Sequence, residues 1–99
     1  MRLRIAPQAE ADLDSIWLYV ATESASVEIA DRLIDSLTSR FLLLARHPYV
    51  GRSREHEFGP GMRSLAVSEY VIVYTIEAEA LAILRVVHGR RDLDSIFSL

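Results

Sequence analysis

Residues 62–88 decide the fold, and they read MRSLAVSEYVIVYTIEAEALAILRVVH. Three apolar runs, at 62–67, 70–76 and 81–87, are separated by short polar segments. Connections of this length are typical of hairpins, so the three runs are predicted to be antiparallel, neighbouring strands. The run at 70–76 is apolar at nearly every position, which predicts a central strand covered on both faces.

Two helices are predicted before these strands. After Pro7, apolar residues recur at helical spacing from Ala9 to Val20, until TESAS (residues 22–26) interrupts the pattern. A second apolar stripe follows Ser26, a residue type favoured at helix N-caps, and stops before Pro48. Because only a few residues separate the two helices, we expect an antiparallel helical hairpin.

The chain ends complete the predicted architecture. Leu3 and Ile5 alternate with Arg2 and Arg4, as in a short strand, and this strand must join the sheet to satisfy its backbone groups. Residues 47–61 are rich in glycine, proline and charge and are predicted to be irregular, and residues 92–99 are predicted to add one helical turn. We therefore predict one α+β domain over residues 1–99. It has an N-terminal strand, a helical hairpin packed on a small, mainly antiparallel sheet, and a short C-terminal helical tail.

Composition restricts the class of protein. The net charge is −3, the chain has no cysteine, and all three histidines lie after residue 46. An acidic balance argues against a general nucleic-acid binder, so no direct DNA binding is expected of this chain alone. No run approaches the roughly 18 apolar residues of a membrane helix. The start does not resemble a signal peptide, so no membrane contact and a cytoplasmic location are expected.

Five short motifs, taken in order, resemble the RelE/ParE superfamily of bacterial toxins, and most closely its ParE branch. They span nearly the whole chain. The motifs are A-x-x-D-L-x-x-I-x-x-Y (Ala9, Asp12, Leu13, Ile16, Tyr19), P-x-x-G (Pro48, Gly51), G-x-R-S (Gly61, Arg63, Ser64), Y-x-I-x-Y (Tyr70, Ile72, Tyr74) and R-V-x-H-G-R-R-D (residues 85–92).

The resemblance implies a fold and a function. The family fold places two helices against an antiparallel sheet, as the residue patterns also predict. ParE-like members imply a toxin of a type II toxin–antitoxin system that inhibits DNA gyrase by protein–protein binding and is neutralised by a cognate antitoxin. RelE-like members imply the alternative, which is cleavage of mRNA on the ribosome.

The ribonuclease alternative needs a base, cations for the phosphorane and an acid. Glu55 or Glu57 would be the base, Arg63 and Arg85 the cations, and His88 the acid. Three observations count against this set. The chain is acidic, and Gly89 stands where ribonuclease members with this histidine usually have tyrosine. Strict strand alternation also places Arg85 and His88 on opposite faces of the sheet, so they would share a pocket only if the strand breaks or bulges between them.

A binding surface is therefore the favoured hypothesis, with no catalytic residue. We expect target or antitoxin to contact the following residues: Arg63, Arg85, His88, Arg90 and Arg91. Two roles are open for Arg85, which are an ion pair at the sheet edge, with Glu69 as candidate partner, and contact with the target or antitoxin. Arg63 is expected to bury its stem and expose its head.

No metal and no cofactor are predicted. His47 and His56 lie in one loop with Glu55 and Glu57, but they lack the i, i+4 helical spacing of a strong metal motif.

Overall fold

The computed structural model describes residues 1–93 and has the predicted α+β architecture. Its elements, in chain order, are β1 (Arg2–Ile5), α1 (Pro7–Ser24), α2 (Val27–Arg46), β2 (Arg52–Ser53), α3 (Glu55–Phe58), β3 (Met62–Val67), β4 (Tyr70–Ile76) and β5 (Ala80–His88). The strands form one sheet in the order β1-β5-β4-β3-β2. Strand β1 is parallel to β5, and the other pairs are antiparallel. No helix within residues 1–93 is both long and apolar enough to cross a membrane.

The three strands predicted from residues 62–88 are confirmed as consecutive antiparallel neighbours. The bounds of β3 and β4 are those predicted, and β5 extends one residue further at each end. Strand β4 is the middle strand of five, and Ile72, Val73 and Tyr74 are fully buried there. Its continuous apolar sequence therefore reflects burial on both faces.

The helical hairpin packs on one face of the sheet. Ala25 ends α1 in the left-handed conformation, and the Ser26 side chain accepts a hydrogen bond from the Ile29 N–H, as an N-cap does. Trp17 of α1 donates to the Asp31 carboxylate of α2 over 2.8 Å, which joins the helices. The apolar stripes then bury Ile16, Leu37, Phe41 and Leu44, among others, against β4 and β5.

The Pro48–Gly51 segment is held by the hydroxyl of Tyr74, which is fully buried. This hydroxyl donates to the Pro48 carbonyl over 2.8 Å and accepts from the Gly51 N–H over 3.1 Å. Gly51 lies so close to Tyr74 that a side chain has no space there. The P-x-x-G motif thus connects α2 to the sheet through one buried tyrosine.

The prediction of an irregular segment over residues 47–61 is wrong in part. Strand β2 pairs with β3, and helix α3 follows it. These elements have two and four residues, too few to show a hydrophobic period. They are held instead by side chains, since Arg54 contacts Ser64 and Glu57, and the Glu55 carboxylate accepts from the Gly61 N–H.

The predicted helical tail falls mostly outside the described residues. Residues 94–99 lie beyond the described range, and residues 90–93 form a turn after β5. The Asp92 N–H donates to the His88 carbonyl over 3.0 Å within that turn.

Candidate functional site

A groove of about 360 Å³ lies between α1 and the C-terminal end of β5. It contains two of the predicted binding residues from the strand and one from the turn. Its lining is Asp12, Ser15, Ile16, Tyr19, Tyr70, Arg85, Val86, Val87, His88, Arg91 and Asp92. The groove therefore brings the first motif of the chain against the last one.

Arg85 is held at the base of this groove by Asp12 of α1. Its Nε and Nη2 donate to the two carboxylate oxygens over 2.8 and 3.0 Å, and the Val86 N–H donates to the same carboxylate over 2.9 Å. The hydrogen bond to Asp12 raises the pKa of Arg85. An ion pair was one of the two roles predicted for Arg85. The predicted partner, Glu69, is wrong, because Asp12 reaches the guanidinium from the facing helix.

The prediction that Arg85 and His88 are separated by the sheet is also wrong. Arg85 is opposite Val73 and Ile83 is opposite Tyr74, so Leu84 is an extra residue in the strand. Such a bulge shifts the alternation by one. As a result Val86 and His88 lie on the same face as Leu81 and Ile83, and His88 borders the groove. Arg85 pairs with Val73 directly after the extra residue, and its guanidinium reaches the same groove by binding Asp12.

His88 is bound on both sides of its ring. The Nδ1 atom accepts from the N–H groups of Arg90 and Arg91, each over 3.3 Å. The Nε2 atom is 3.9 Å from the Glu69 carboxylate, and the ring meets the edge of Tyr70 with 5.6 Å between centroids. The side-chain hydrogen bonds of His88 therefore go to the turn that follows it.

Arg90 and Arg91, in the turn after β5, differ in their surroundings. The Arg91 guanidinium lies 5.3 Å from the centre of the Tyr19 ring, which is a cation–π distance. Burial raises the pKa of the Tyr70 phenol, and the nearby charge of Arg91 opposes that shift. Arg90 is exposed and does not line the groove. Arg91 therefore presents its charge on an aromatic platform provided by α1.

Arg63 belongs to a different surface. Its Nη2 donates to the carbonyls of Tyr49 and Gly51 over 3.2 and 2.5 Å, and its guanidinium is 5.2 Å from the Tyr49 ring centre. Its Nε is buried and has no hydrogen-bond partner within residues 1–93. The guanidinium, which the sequence predicts to be exposed, is bound by these two carbonyls. The arginine holds the loop that precedes β2.

The residues proposed for catalysis are not gathered in one place. Arg63 and Glu55 line a hollow beside Tyr49, whereas Arg85 and His88 line the groove against α1. Glu57 lines neither of these and pairs with Arg54. No base, cation and acid from that set therefore converge on one reacting atom.

Asp12 and Tyr19 were part of a motif, but no role was predicted for either. Asp12 lies three residues after Ala9 and four before Ile16, both buried, so it lies at the edge of the helix that faces the sheet. An acidic residue at the edge of the buried face of α1 could have indicated a basic partner on the sheet. In residues 1–93, no three histidine or acidic side chains are arranged to hold a metal ion.

Comparison with known proteins relates this chain to bacterial toxins of the ParE and RelE types. Residues 3–93 match the family model described as the ParE toxin of the type II toxin–antitoxin system parDE. The chain is 32% identical over 82 residues to toxin ParE3 of Caulobacter vibrioides, covering 83% of this chain and 80% of that protein. It is also 32% identical over 89 residues to toxin RelE3 of the same organism, covering 88% and 92% of the two chains.

Two solved structures share the fold. One is a chain of the chromosomal ParDE system from P. aeruginosa, with a TM-score of 0.77, 23% identity and coverage of 89% of this chain and 95% of that one. The other is from the RelBE2 toxin–antitoxin complex of Mycobacterium tuberculosis, with a TM-score of 0.60, 24% identity and coverage of 88% and 95%. On the family match and the relatives above 30% identity, this chain belongs to the ParE toxin family of type II toxin–antitoxin systems.

Proposed function

We propose that this ParE-family toxin arrests growth by binding DNA gyrase in the cytoplasm, and that a cognate antitoxin neutralises it by covering the same molecule. Its action uses surface recognition, with no metal, cofactor or catalytic residue. The observation that carries the proposal is the neutralisation of Arg85 by Asp12, which removes the strand cation that a phosphoryl-transfer site would need.

Other contacts support the same conclusion. Arg63 donates to loop carbonyls, Glu57 pairs with Arg54, and the Nδ1 of His88 is occupied by backbone N–H groups. Each proposed catalytic group thus has a local partner within the chain. Metal-independent RNA cleavage would need these partners to be exchanged for the substrate.

A ribosome-dependent endoribonuclease is the second candidate function. The observation that favours it is the likeness to toxin RelE3, which has the same percentage identity as ParE3. The two candidates predict opposite results with purified components, so one pair of assays separates them.

We expect the purified chain to inhibit DNA supercoiling by gyrase and to leave mRNA intact on translating ribosomes. Both reactions should be run with the same protein preparation, so that misfolded protein cannot explain one negative result. The variant Glu57→Gln should inhibit gyrase as well as the original chain does, because Glu57 is exposed and is not among the residues proposed to contact the target or antitoxin. Cleaved transcripts, lost on replacing His88 with alanine, would instead establish the ribonuclease.

The antitoxin is proposed to contact Arg90 and Arg91, in the turn after β5, and the adjacent groove. Arg90 and Arg91 are exposed, and Arg91 lies on Tyr19, so carboxylates of an antitoxin could be bound there by charge-assisted hydrogen bonds. Arg85 has an internal partner and is assigned to support of this surface, whereas Arg63 supports the loop before β2. The sheet edge and the groove would accommodate an extended or helical peptide.

Reversing both tail charges, with Arg90→Glu and Arg91→Glu, should weaken antitoxin binding by about tenfold or more, because attraction at two positions becomes repulsion. Affinity should be measured by calorimetric titration. The matched control is Arg32→Glu with Arg40→Glu, which makes the same charge change at exposed positions of α2. Equal losses in the two double variants would assign the effect to net charge and would reject a contact at the tail.

A further inference from the structure

We propose that His88 is a positioning residue whose unprotonated Nδ1 holds the turn at residues 89–92 and thereby places the Arg91 guanidinium on Tyr19, ready for a carboxylate of a protein partner. This inference rests on the proposed function for the identity of the partner. The positioning itself is a property of the isolated chain.

The backbone of the turn is organised around His88. Beyond the end of β5, the Gly89 N–H donates to the Glu69 carbonyl over 2.9 Å, and the Asp92 N–H donates to the His88 carbonyl over 3.0 Å. The two N–H groups between them, from Arg90 and Arg91, both point to the imidazole Nδ1. One side chain thus satisfies the two donors that the strand and the turn leave without a backbone acceptor.

This arrangement defines the state of the imidazole. A nitrogen that accepts hydrogen bonds must keep its lone pair, so the proton of the neutral ring is on Nε2, which faces Glu69. A protonated ring donates from both nitrogens. Protonation of His88 would therefore remove the acceptor and place three N–H groups against one another.

Charged and titratable groups surround the ring on several elements. Glu69, on the β3–β4 turn, faces Nε2, and Arg90 and Arg91 belong to the adjoining turn. The remaining groups nearby are Tyr70 of β4, Tyr19 of α1 under Arg91, and Asp92. The device therefore depends on the direct contact at Nδ1 and not on any single neighbouring charge.

Positioning matters because arginine loses much side-chain freedom on binding. A guanidinium already stacked on Tyr19 has part of that freedom removed before the partner arrives. The turn fixes the position of the Arg91 backbone, and the contact with the Tyr19 ring fixes the position of its guanidinium. His88 thus acts on the partner through Arg91 and does not itself need to contact that partner.

Two variants separate this role from a general structural role. In His88→Asn, Oδ1 is two bonds from Cβ, as Nδ1 is in histidine, so the acceptor is retained. In His88→Gln, the carbonyl oxygen is one bond further away, so the acceptor is displaced while size and polarity are similar. Both variants lose the ring contact with Tyr70, which makes them a matched pair.

The measurement is amide hydrogen exchange by NMR on the isolated chain. We expect protection of the Arg90 and Arg91 amides to be about two- to tenfold greater in the original chain and in His88→Asn than in His88→Gln, as one hydrogen bond provides. The control His56→Asn changes an exposed histidine away from this turn and should leave the protection of both amides unchanged.

Imidazole ¹⁵N shifts of the original chain test the same point without any variant. A neutral His88 with its proton on Nδ1 would overturn the inference. So would His88→Gln behaving as the original chain. None of these outcomes bears on gyrase inhibition or mRNA cleavage, and a failure of either of those assays leaves the exchange result intact.

Discussion

Replacing Gly51 with alanine should destabilise the fold by about 3 kcal/mol, since it combines overpacking with the loss of buried hydrogen bonds. A Cβ at this position would lie 2.7 Å from the Ser64 carbonyl oxygen and 2.8 Å from Cε1 of Tyr74, with the Tyr74 hydroxyl closer still. Neither neighbour can move freely, because Ser64 belongs to the paired backbone of β3 and Tyr74 is fully buried in β4. The change should appear as a lower midpoint of urea unfolding.

A second substitution identifies the cause of that loss. Tyr74→Phe alone should cost about 1–3 kcal/mol, because the Pro48 carbonyl and the Gly51 N–H lose their partner. Combined with Gly51→Ala, the same change should cost much less, since it also removes the atom nearest the added methyl group. The nearby exposed control Ser53→Ala should stay within about 0.5 kcal/mol of the original chain. Strict additivity of Gly51→Ala and Tyr74→Phe would contradict this account.

This buried contact illustrates which parts of the fold the sequence predicts. Strands β3 and β4 and the cap at Ser26 follow from local rules, because burial on both faces, hairpin length and capping are each encoded within a few residues. The P-x-x-G segment is visible in the sequence as well. Its attachment to a tyrosine 26 residues further along is not, since no local rule relates Pro48 to Tyr74.

The bulge at Leu84 explains the main error in the candidate site. Alternation along β5 is a sound rule for a regular strand, but the extra residue moves Val86 and His88 to the face of Ile83. Arg85, beside that residue, reaches α1 by binding Asp12. Nothing in the run from Ile83 to Val87 marks the position of that residue, because all its neighbours are apolar or β-branched except Arg85. The register became clear only through the pairing of Val73 with Arg85.

Arg90 and Arg91 were predicted to form a binding surface, whereas the pairing of the nearby Arg85 with Asp12 was not predicted. Arg85 and Asp12 are 73 residues apart, and each could be read alone as an ordinary surface charge. Their meeting depends on α1 lying across β5, which is a property of the packed fold. A site built by such long-range pairs is therefore less predictable than the elements that carry it.

The Asp12–Arg85 pair differs from an ordinary surface ion pair in its burial. The exposed fractions of its side chains are 11% for Asp12 and 26% for Arg85, compared with 44% for Glu77 and 52% for Arg4 in a pair elsewhere on the sheet. The Asp12 carboxylate also accepts from the Val86 N–H beside the bulge. Removal of this carboxylate would leave a partly buried cation and a backbone donor without their partner, so most of the penalty comes from desolvation.

Asp12→Ala should therefore destabilise the chain by about 2–3 kcal/mol, whereas Glu77→Ala, which breaks the exposed pair with Arg4, should cost less than about 1 kcal/mol. Urea unfolding of both variants measures the difference. The double variant Asp12→Leu with Arg85→Met should recover much of the loss, because it removes the stranded charge and refills the site with apolar atoms. Equally small losses for Asp12→Ala and Glu77→Ala would contradict this assignment. They would mean that Asp12 does not hold Arg85 in place, and that Arg85 is free to bind a phosphate or a carboxylate of a partner.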